Sequence, residues 1–408
     1  MKNYILLSAF LLSTTTIFGQ QNQVESDSTK TQTLEEVLVQ SVRVKPNAPI
    51  THSNLTKAQL ESRNLGQDLP ILLNYLPSVV TTSDAGAGIG YTGIRVRGVS
   101  PLSTNVTING IPFTDAESLG AFWVNMPDFT SSVESLQLQR GVGTSTNGSG
   151  AFGASVNILT DASSYTPTAE VSNSFGSYNT RKHSVKFSTG KINDVFELSG
   201  RLSTINSDGY VDRAFSDLKS YFLQGTYNNN GTLIKALVFG GHEKTYQSWE
   251  GLTKQQLEDD RRQNPYTYEN EIDNYKQDHY QLHWNQKLNQ NWSTNLGLNY
   301  TYGRGYYEQY REDDAVSTYG GIVEATGVDF YGTGVTDLIR RRWLDNDFYV
   351  INATANYKES DLNLIVGGSY SNYDGDHFGE VIWARQFASG TSIRDQYYFG
   401  NGKKTDFS

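Results

Sequence analysis

The chain has 408 residues, a formal charge of −10, no cysteine, 26 tyrosines and 38 glycines. That length holds two or three domains; without thiols there are no thiolate metal sites, cysteine nucleophiles or disulfides, and the acidic balance argues against a nucleic-acid partner. No run of about 18 apolar residues offers a transmembrane helix, whereas a transmembrane barrel stays open because its strands alternate apolar and polar residues.

Residues 1–20 read as a cleaved secretory signal: Lys2 gives a positive start, residues 4–18 are mostly apolar, and small Gly19 precedes the polar Gln20 and Gln21. The mature chain is expected to begin near Gln20 or Gln21, and the lack of cysteine excludes a lipoprotein anchor. Residues 21–33 are polar and expected to be disordered. The apolar segment Leu34, Glu35, Glu36, Val37, Leu38 and Val39 follows, and its branched side chains favour an extended strand. Over 55–80, Leu65, Leu69, Leu72, Leu73 and Leu76 keep helical spacing until Pro77 closes the run. Residues 85–160 are glycine-rich with short β-type runs at 93–98, 106–110 and 133–140, which predicts a small mixed α/β domain.

From Thr168 onward, runs of apolar and polar residues alternate. Trp292, Thr294, Leu296, Leu298, Tyr300 and Tyr302 share one face, with Ser293, Asn295, Gly297, Asn299 and Thr301 on the other. The pattern predicts nine strands, near 168–176, 180–189, 194–206, 219–229, 231–244, 275–288, 291–303, 346–358 and 360–373. Gaps at 190–193, 229–230, 289–290 and 359 are short, while 207–218, 245–274, 304–345 and 374 onward are long. Short turns at one end and long loops at the other mark an outer-membrane barrel. Trp292, Tyr300, Tyr302, Tyr349 and Tyr357 are expected to form its interfacial girdles.

Motifs at 34–160 resemble the TonB-dependent receptors. Residues 34–39 are similar to the TonB box. DLPILLNYLPSVV at 68–80 resembles the plug segment ending L-x-x-x-P-G-V, with Ser78 where the family often has glycine. Residues 94–98 look like the I-R-G motif, and 108–112 resemble V-D-G-V-P with Asn109 in place of aspartate. Residues 133–141, the glycine run at 148–153 and Val156, Asn157 and Ile158 resemble I-E-x-I-E-V-L-R-G followed by Y-G-x-x-A-x-G-G-x-I-N-I. The motifs stand in family order over about 125 residues. The resemblance implies a signal at 1–20, a periplasmic tail with TonB box at 21–45, a plug at 46–163 and the N-terminal part of a barrel at 164–408. The fold is then a small α/β plug followed by an incomplete antiparallel transmembrane β-barrel, nine strands of about 22. Nine is an odd number, and 408 falls inside an expected fifth long loop, so a truncated chain is expected, short by roughly 350 residues.

The resemblance also implies active uptake, most often of a ferric siderophore or similar iron chelate, driven by a TonB-type periplasmic partner that pairs with 34–39. Only about thirteen residues separate the signal from that segment, too few for an extra N-terminal domain. Vitamin B12, haem and oligosaccharides are alternative ligands, and a passive porin or a surface adhesin are alternative roles. Outer-membrane lipid is a further expected partner. By the same resemblance, plug turns at 86–92, 100–105 and 113–123 rise toward the ligand. Tyr91, Phe113, Asp115, Phe122 and Trp123 are the expected contacts, their aromatic surface suiting a catecholate or macrocyclic chelate; packing inside the plug is the alternative for Trp123. Arg97, Glu134 and Arg140 are expected to pair plug with barrel. The glycine run at 148–153 fits G-x-G-x-x-G, but a strand follows it where a dinucleotide site needs a helix, so tight turns against the barrel wall are expected. Glu308, Glu312, Asp313 and Asp314 read as a solvated loop, with cation binding as the alternative; His377 is a residue a haem receptor could use. No histidine pair has metal-ligand spacing and no Ser–His–Asp arrangement is evident. Catalytic residues, cofactors and a resident metal are therefore not expected.

Overall fold

The structure, a computed structural model, describes residues 43–44, 49–142 and 152–408. The signal segment, the 34–39 strand and residues 148–151 of the glycine run lie outside the described residues.

The first unit is a small sheet with irregular segments around it. Its strands are β1 (His52–Thr56), β2 (Val79–Ser83), β3 (Thr92–Val96), β4 (Thr104–Ile108), β5 (Ile111–Pro112), β6 (Val133–Arg140) and β7 (Ala154–Thr160). Five of them form one sheet in the order β1-β6-β7-β4-β5, in which only β4 and β7 run parallel; β2 and β3 form a separate pair. Val106, Ile108, Leu136, Leu138, Val156 and Ile158 are buried in its core. The other face is polar and is covered by the chain that enters the sheet. Arg43 donates to Ser135 Oγ (2.9 Å), Ser135 O (2.8 Å) and Asn157 O (3.0 Å). Val44 exchanges two hydrogen bonds with the Gln137 amide, at 2.9 and 3.1 Å.

The helical character expected within 55–80 is confined to short pieces. Only two single-turn helices form, Lys57–Glu61 and Leu69–Leu72. Gly66 at φ +119° breaks the run and Pro70 opens the second turn. Leu65 is left exposed, while Leu69, Leu72, Leu73 and Leu76 turn inward.

The second unit is a large antiparallel sheet. Its long strands are β8 (Thr168–Phe175), β9 (Arg181–Ser188), β10 (Phe196–Ser207), β11 (Ser216–Asn229), β12 (Thr232–Tyr246), β13 (Ile272–Lys287) and β14 (Trp292–Ala315). After the two-residue β15 (Gly327–Val328) come β16 (Gly334–Glu359), β17 (Leu362–Ala384) and β18 (Gln396–Phe407). Each pairs with its neighbour in chain order, β14 passing directly to β16, so β8 and β18 are the edges. Alternation sorts the faces. On β10, Phe196, Leu198 and Leu202 point out, while Glu197, Ser199 and Arg201 are buried against the first unit. Outward aromatics meet across strands at two levels. Trp292 packs on Tyr357 (5.1 Å), and Tyr300 stacks between Tyr280 (5.8 Å) and Tyr349 (4.9 Å). The levels are eight residues apart on β14, about 26 Å along a strand, the scale of a bilayer's apolar band.

The count of nine strands and the reading of 304–345 as loop are corrected. Ten long strands form among the described residues, and β14, β16 and β17 run 24, 26 and 23 residues, well past the about ten needed to cross a bilayer. Charged residues conceal these extensions in the sequence by interrupting the apolar alternation, yet they pair across strands. Glu308 stands opposite Arg341 and accepts from its Nε at 2.8 Å; Tyr306 packs on Trp343 at 4.7 Å. Lys403 on β18 likewise meets Asp374 on β17 at 3.0 Å. The acidic run at 308–314 is therefore strand and not loop, although Glu312 and Asp313 are solvated as expected. Glu308 is 1% exposed, Asp314 pairs with Arg311 at 3.0 Å, and no carboxylate or histidine cluster among the described residues is arranged to hold a metal.

The small unit sits in the concave face of the large sheet, and a buried ion triad holds it there. Asp128 has left-handed backbone (φ 53°) and is 3% exposed. Its carboxylate meets Lys182 of β9 at 2.5 Å and Arg201 of β10 at 2.9 Å. Arg201 also donates to Asp128 O and, through Nε, to Ser132 Oγ at 3.0 Å. Burial alone pushes the Asp128 carboxyl up; Arg201 and Lys182 outweigh it and hold it well below the usual carboxylate range. Asp161 repeats the theme with Lys186 of β9 and Lys57 of the small unit, both at 2.7 Å. Phe129 packs between Phe222 (6.2 Å) and Phe239 (5.2 Å). A side chain at Gly241 of β12 would overlap the Asn125 carbonyl, so only glycine allows this approach.

Asp128→Asn leaves two buried cations short of an anion, at a cost of about 3–5 kcal/mol. The expected result is faster proteolysis around residues 120–135 and a lower unfolding midpoint; unchanged cleavage would refute this account of the seat. The folded carboxyl titrates below its unfolded value of about 3.9, so its stabilisation is complete above that pH and is lost as the pH falls through the acid range.

Candidate functional site

Where the small unit faces the long-loop end of the sheet, a cavity of about 670 Å³ opens, within the range of small-molecule sites. Both units build it. From the small unit come Asp84, Tyr91 and the segment from Pro112 to Ser118, with Phe122. The sheet contributes Trp249, Asp273, Tyr306, Tyr307, Arg342 and Trp343, among others.

Tyr91 ends the turn that returns to β3. Its hydroxyl donates to Asp273 Oδ2 of β13 at 2.5 Å, and its ring meets Trp249 edge-on at 5.4 Å. Trp249 in turn meets Tyr307 at 5.6 Å. Burial raises the Tyr91 hydroxyl well above its ordinary value, and the carboxylates of Asp273 and Glu243 add to the shift. Burial likewise raises the Asp84 carboxyl to about 6. Phe113 leans on His279 at 5.6 Å.

Asp115 shapes the loop after Phe113. Its Oδ1 accepts from Ser118 N (2.6 Å), Ser118 Oγ (2.7 Å) and Glu117 N (3.1 Å). The loop is moored to the last two strands. Glu117 Oε2 accepts from Tyr373 Oη at 3.0 Å and lies 2.7 Å from His377 Nε2. Lys404 donates to the carbonyls of Ala116 (2.7 Å) and Glu117 (2.9 Å). His377, read from the sequence as a haem-ligand candidate, thus stands in the wall bonded to Glu117.

Four of the five expected contacts, Tyr91, Phe113, Asp115 and Phe122, line the cavity together. Trp123 does not. It opens a 3-10 turn that directs its indole into the core, where it is 3% exposed beside Phe113 at 6.4 Å. The turn at 100–105 contributes no lining residue; it packs against Gly153, where a Cβ would stand 2.8 Å from Ser103 O. That glycine therefore serves contact within the small unit, not against the barrel wall as expected.

The expected ion-pairing residues are also placed otherwise. Arg140 donates to Pro77 O and Ser53 Oγ, both at 2.9 Å and both within the small unit. Glu134 accepts from Ala162 N at 3.4 Å, and Arg97 is exposed at a left-handed position (φ 55°). Glu134 and Arg140 stand at the two ends of β6, where their partners belong to the small unit, and Arg97 follows β3 in a turn. The buried Lys and Arg ion pairs across the interface come from Asp128 and Asp161, which sequence reasoning missed. The cavity's Tyr306, Tyr307, Arg342 and Trp343 were missed as well. Their one signal was an aromatic and arginine density unusual for a loop.

The family description "TonB-dependent Receptor Plug Domain" matches residues 45–155. Residues 45–155 are thus a plug domain of the kind found in TonB-dependent receptors, and the strands of the large antiparallel sheet follow it in the chain. Over 224 residues it is 25% identical to a "Probable TonB-dependent siderophore receptor PirA" of Acinetobacter baumannii, covering 52% of this chain and 28% of that protein. The fold is similar to the "Copper transporter OprC" (TM-score 0.66, 12% identity, 90% of this chain and 53% of that one). It is also similar to the siderophore receptor PiuA from Acinetobacter baumannii (TM-score 0.60, 14% identity, 88% and 53%). The chain thus spans about a quarter of the curated relative and about half of each solved structure.

Phe122 and Trp123 are neighbours with opposite surroundings, which gives a paired prediction. Trp123→Ala empties a core site and destabilises by about 3–5 kcal/mol, so receptor abundance falls. Phe122→Ala, on the cavity wall, weakens ligand binding with abundance unchanged on immunoblots. The same abundance loss in both variants would remove the distinction.

Proposed function

We propose that this chain is part of an energy-coupled uptake receptor that takes an iron chelate of siderophore type into the cavity between plug and barrel. The observation that carries the reading is the shared ownership of that cavity. Its floor belongs to the plug, through Tyr91, Phe113 and Asp115, and its wall to the barrel, so a ligand there touches both units. A plug sealed into the sheet by buried ion pairs argues against a passive porin, which needs an open lumen. The outward apolar and aromatic residues suit lipid contact. In this reading residues 1–20 are the signal, 21–45 the periplasmic tail, 46–163 the plug and 164–408 barrel. The names of the similar proteins, siderophore receptors among them, support an iron chelate over vitamin B12, haem or an oligosaccharide.

The energy enters through Leu34, Glu35, Glu36, Val37, Leu38 and Val39, which pair as an added strand with a TonB-type partner. Val37→Pro removes a backbone donor from that strand. The variant is expected to bind chelate normally and to fail in uptake, measured as accumulation of radioactive iron. Normal accumulation would overturn the coupling role. Growth of a deletion strain on iron chelates, vitamin B12 and glycans as separate sources tests the ligand class; a defect confined to a non-iron source would displace the reading.

A further inference from the structure

The charge on the cavity wall restricts its ligand further, an argument that rests on the uptake reading above. Five carboxylates line the cavity, Asp84, Asp115, Glu117, Glu243 and Asp273, against one guanidinium, Arg342. The partners of these carboxylates are mostly neutral. Asp115 is held by Ser118 and backbone amides, Asp273 by the Tyr91 hydroxyl, Glu243 by the Thr245 hydroxyl, and Glu117 by Tyr373 and His377. Hydroxyls and amides stabilise a carboxylate without cancelling its field; Glu243 and Asp273, buried side by side, do not both ionise, so the field comes from Asp84, Asp115, Glu117 and one charge on that pair. Lys404 binds the carbonyls of 116 and 117 and does not line the cavity.

Arg342 is already engaged by tyrosines. Its guanidinium lies 5.7 Å from the Tyr307 ring centre and 5.5 Å from that of Tyr398, and its Nε donates to the Tyr398 hydroxyl at 3.2 Å. Recognition of an anionic chelate calls for forked guanidinium contacts, and among the described lining residues this is the one guanidinium. The remaining surface is aromatic. Tyr91, Trp249 and Tyr307 form an edge-to-face chain, and Trp343 adds a further aromatic face to the lining. Aromatic faces beside carboxylates attract cations and tolerate neutral apolar groups.

We propose that this cavity takes a neutral or cationic iron chelate and disfavours an anionic one such as a ferric tricatecholate. The aromatic surface alone suited a catecholate; the carboxylates decide against it. The test uses detergent-solubilised receptor and calorimetric titration with three probes: a ferric trihydroxamate with a pendant ammonium, its neutral counterpart, and a trianionic ferric tricatecholate. The neutral and cationic probes are expected to bind at least about tenfold more tightly than the anionic one, the cationic probe losing affinity as salt rises. In the double variant Asp84→Asn and Glu117→Gln, the gap between cationic and anionic probes is expected to narrow by about tenfold. Equal or tighter binding of the trianion to the unmodified receptor overturns the charge preference and leaves the uptake reading standing. An unchanged gap in the variant also overturns it. Failure of all three chelates to bind sinks the uptake reading and this inference with it.

Discussion

The position of everything functional in this chain depends on one buried carboxylate. Asp128 neutralises Lys182 and Arg201, cations from adjacent strands that have no access to water. Removing those charges from water costs several kcal/mol each, offset only when geometry and hydrogen bonding are complete. The left-handed backbone at Asp128 helps complete them. It lets one residue present both its carboxylate and its carbonyl to Arg201. Strain of that kind costs about 1–2 kcal/mol, less than one uncompensated buried charge. The triad fixes the plug against β9 and β10, and the apex residues then fall beneath the long ends of β13 to β17.

Docking of this kind is made by side chains and single carbonyls. Ser220 donates to Pro127 O at 2.7 Å, Asn352 to Gly110 O at 3.0 Å, and Gln224 to Asp161 O at 2.9 Å. Among the described residues the two sheets share no strand pairing, so plug and barrel keep separate hydrogen-bond ladders. That separation lets a wide barrel be filled by an independent fold.

What the sequence made legible follows from which constraints are local. Alternation along a strand is imposed by two different media on its faces, so β10 and the first part of β14 could be read residue by residue. Beyond the bilayer both faces are wet, alternation lapses, and strand identity rests on partners such as Glu308 and Arg341 that are distant in sequence. The plug's contribution to the cavity was legible because Tyr91, Phe113, Asp115 and Phe122 sit at turns flagged by glycine and proline. The barrel's contribution was not, since nothing at Arg342 signals that Tyr398 lies beside it. Trp123 was misplaced for a local reason: a single 3-10 turn sends adjacent side chains to opposite sides, and composition does not say which side is which.

The entry of the chain into the plug has a mechanical meaning. Arg43 and Val44 clasp the polar face of the plug sheet, and β1 lies at that sheet's edge, paired only with β6 from His52 to Thr56. Tension arriving from upstream therefore loads the Arg43 clasp first and β1 next. Because β1 is an edge strand, it can be drawn off without parting any other pair of strands. The hydrophobic core around Leu136 and Val156, and the Asp128 anchor beyond it, stay outside the load path until β1 has gone. The fold thus grades its own resistance, yielding first where the chain enters and last where the plug is bolted to the wall.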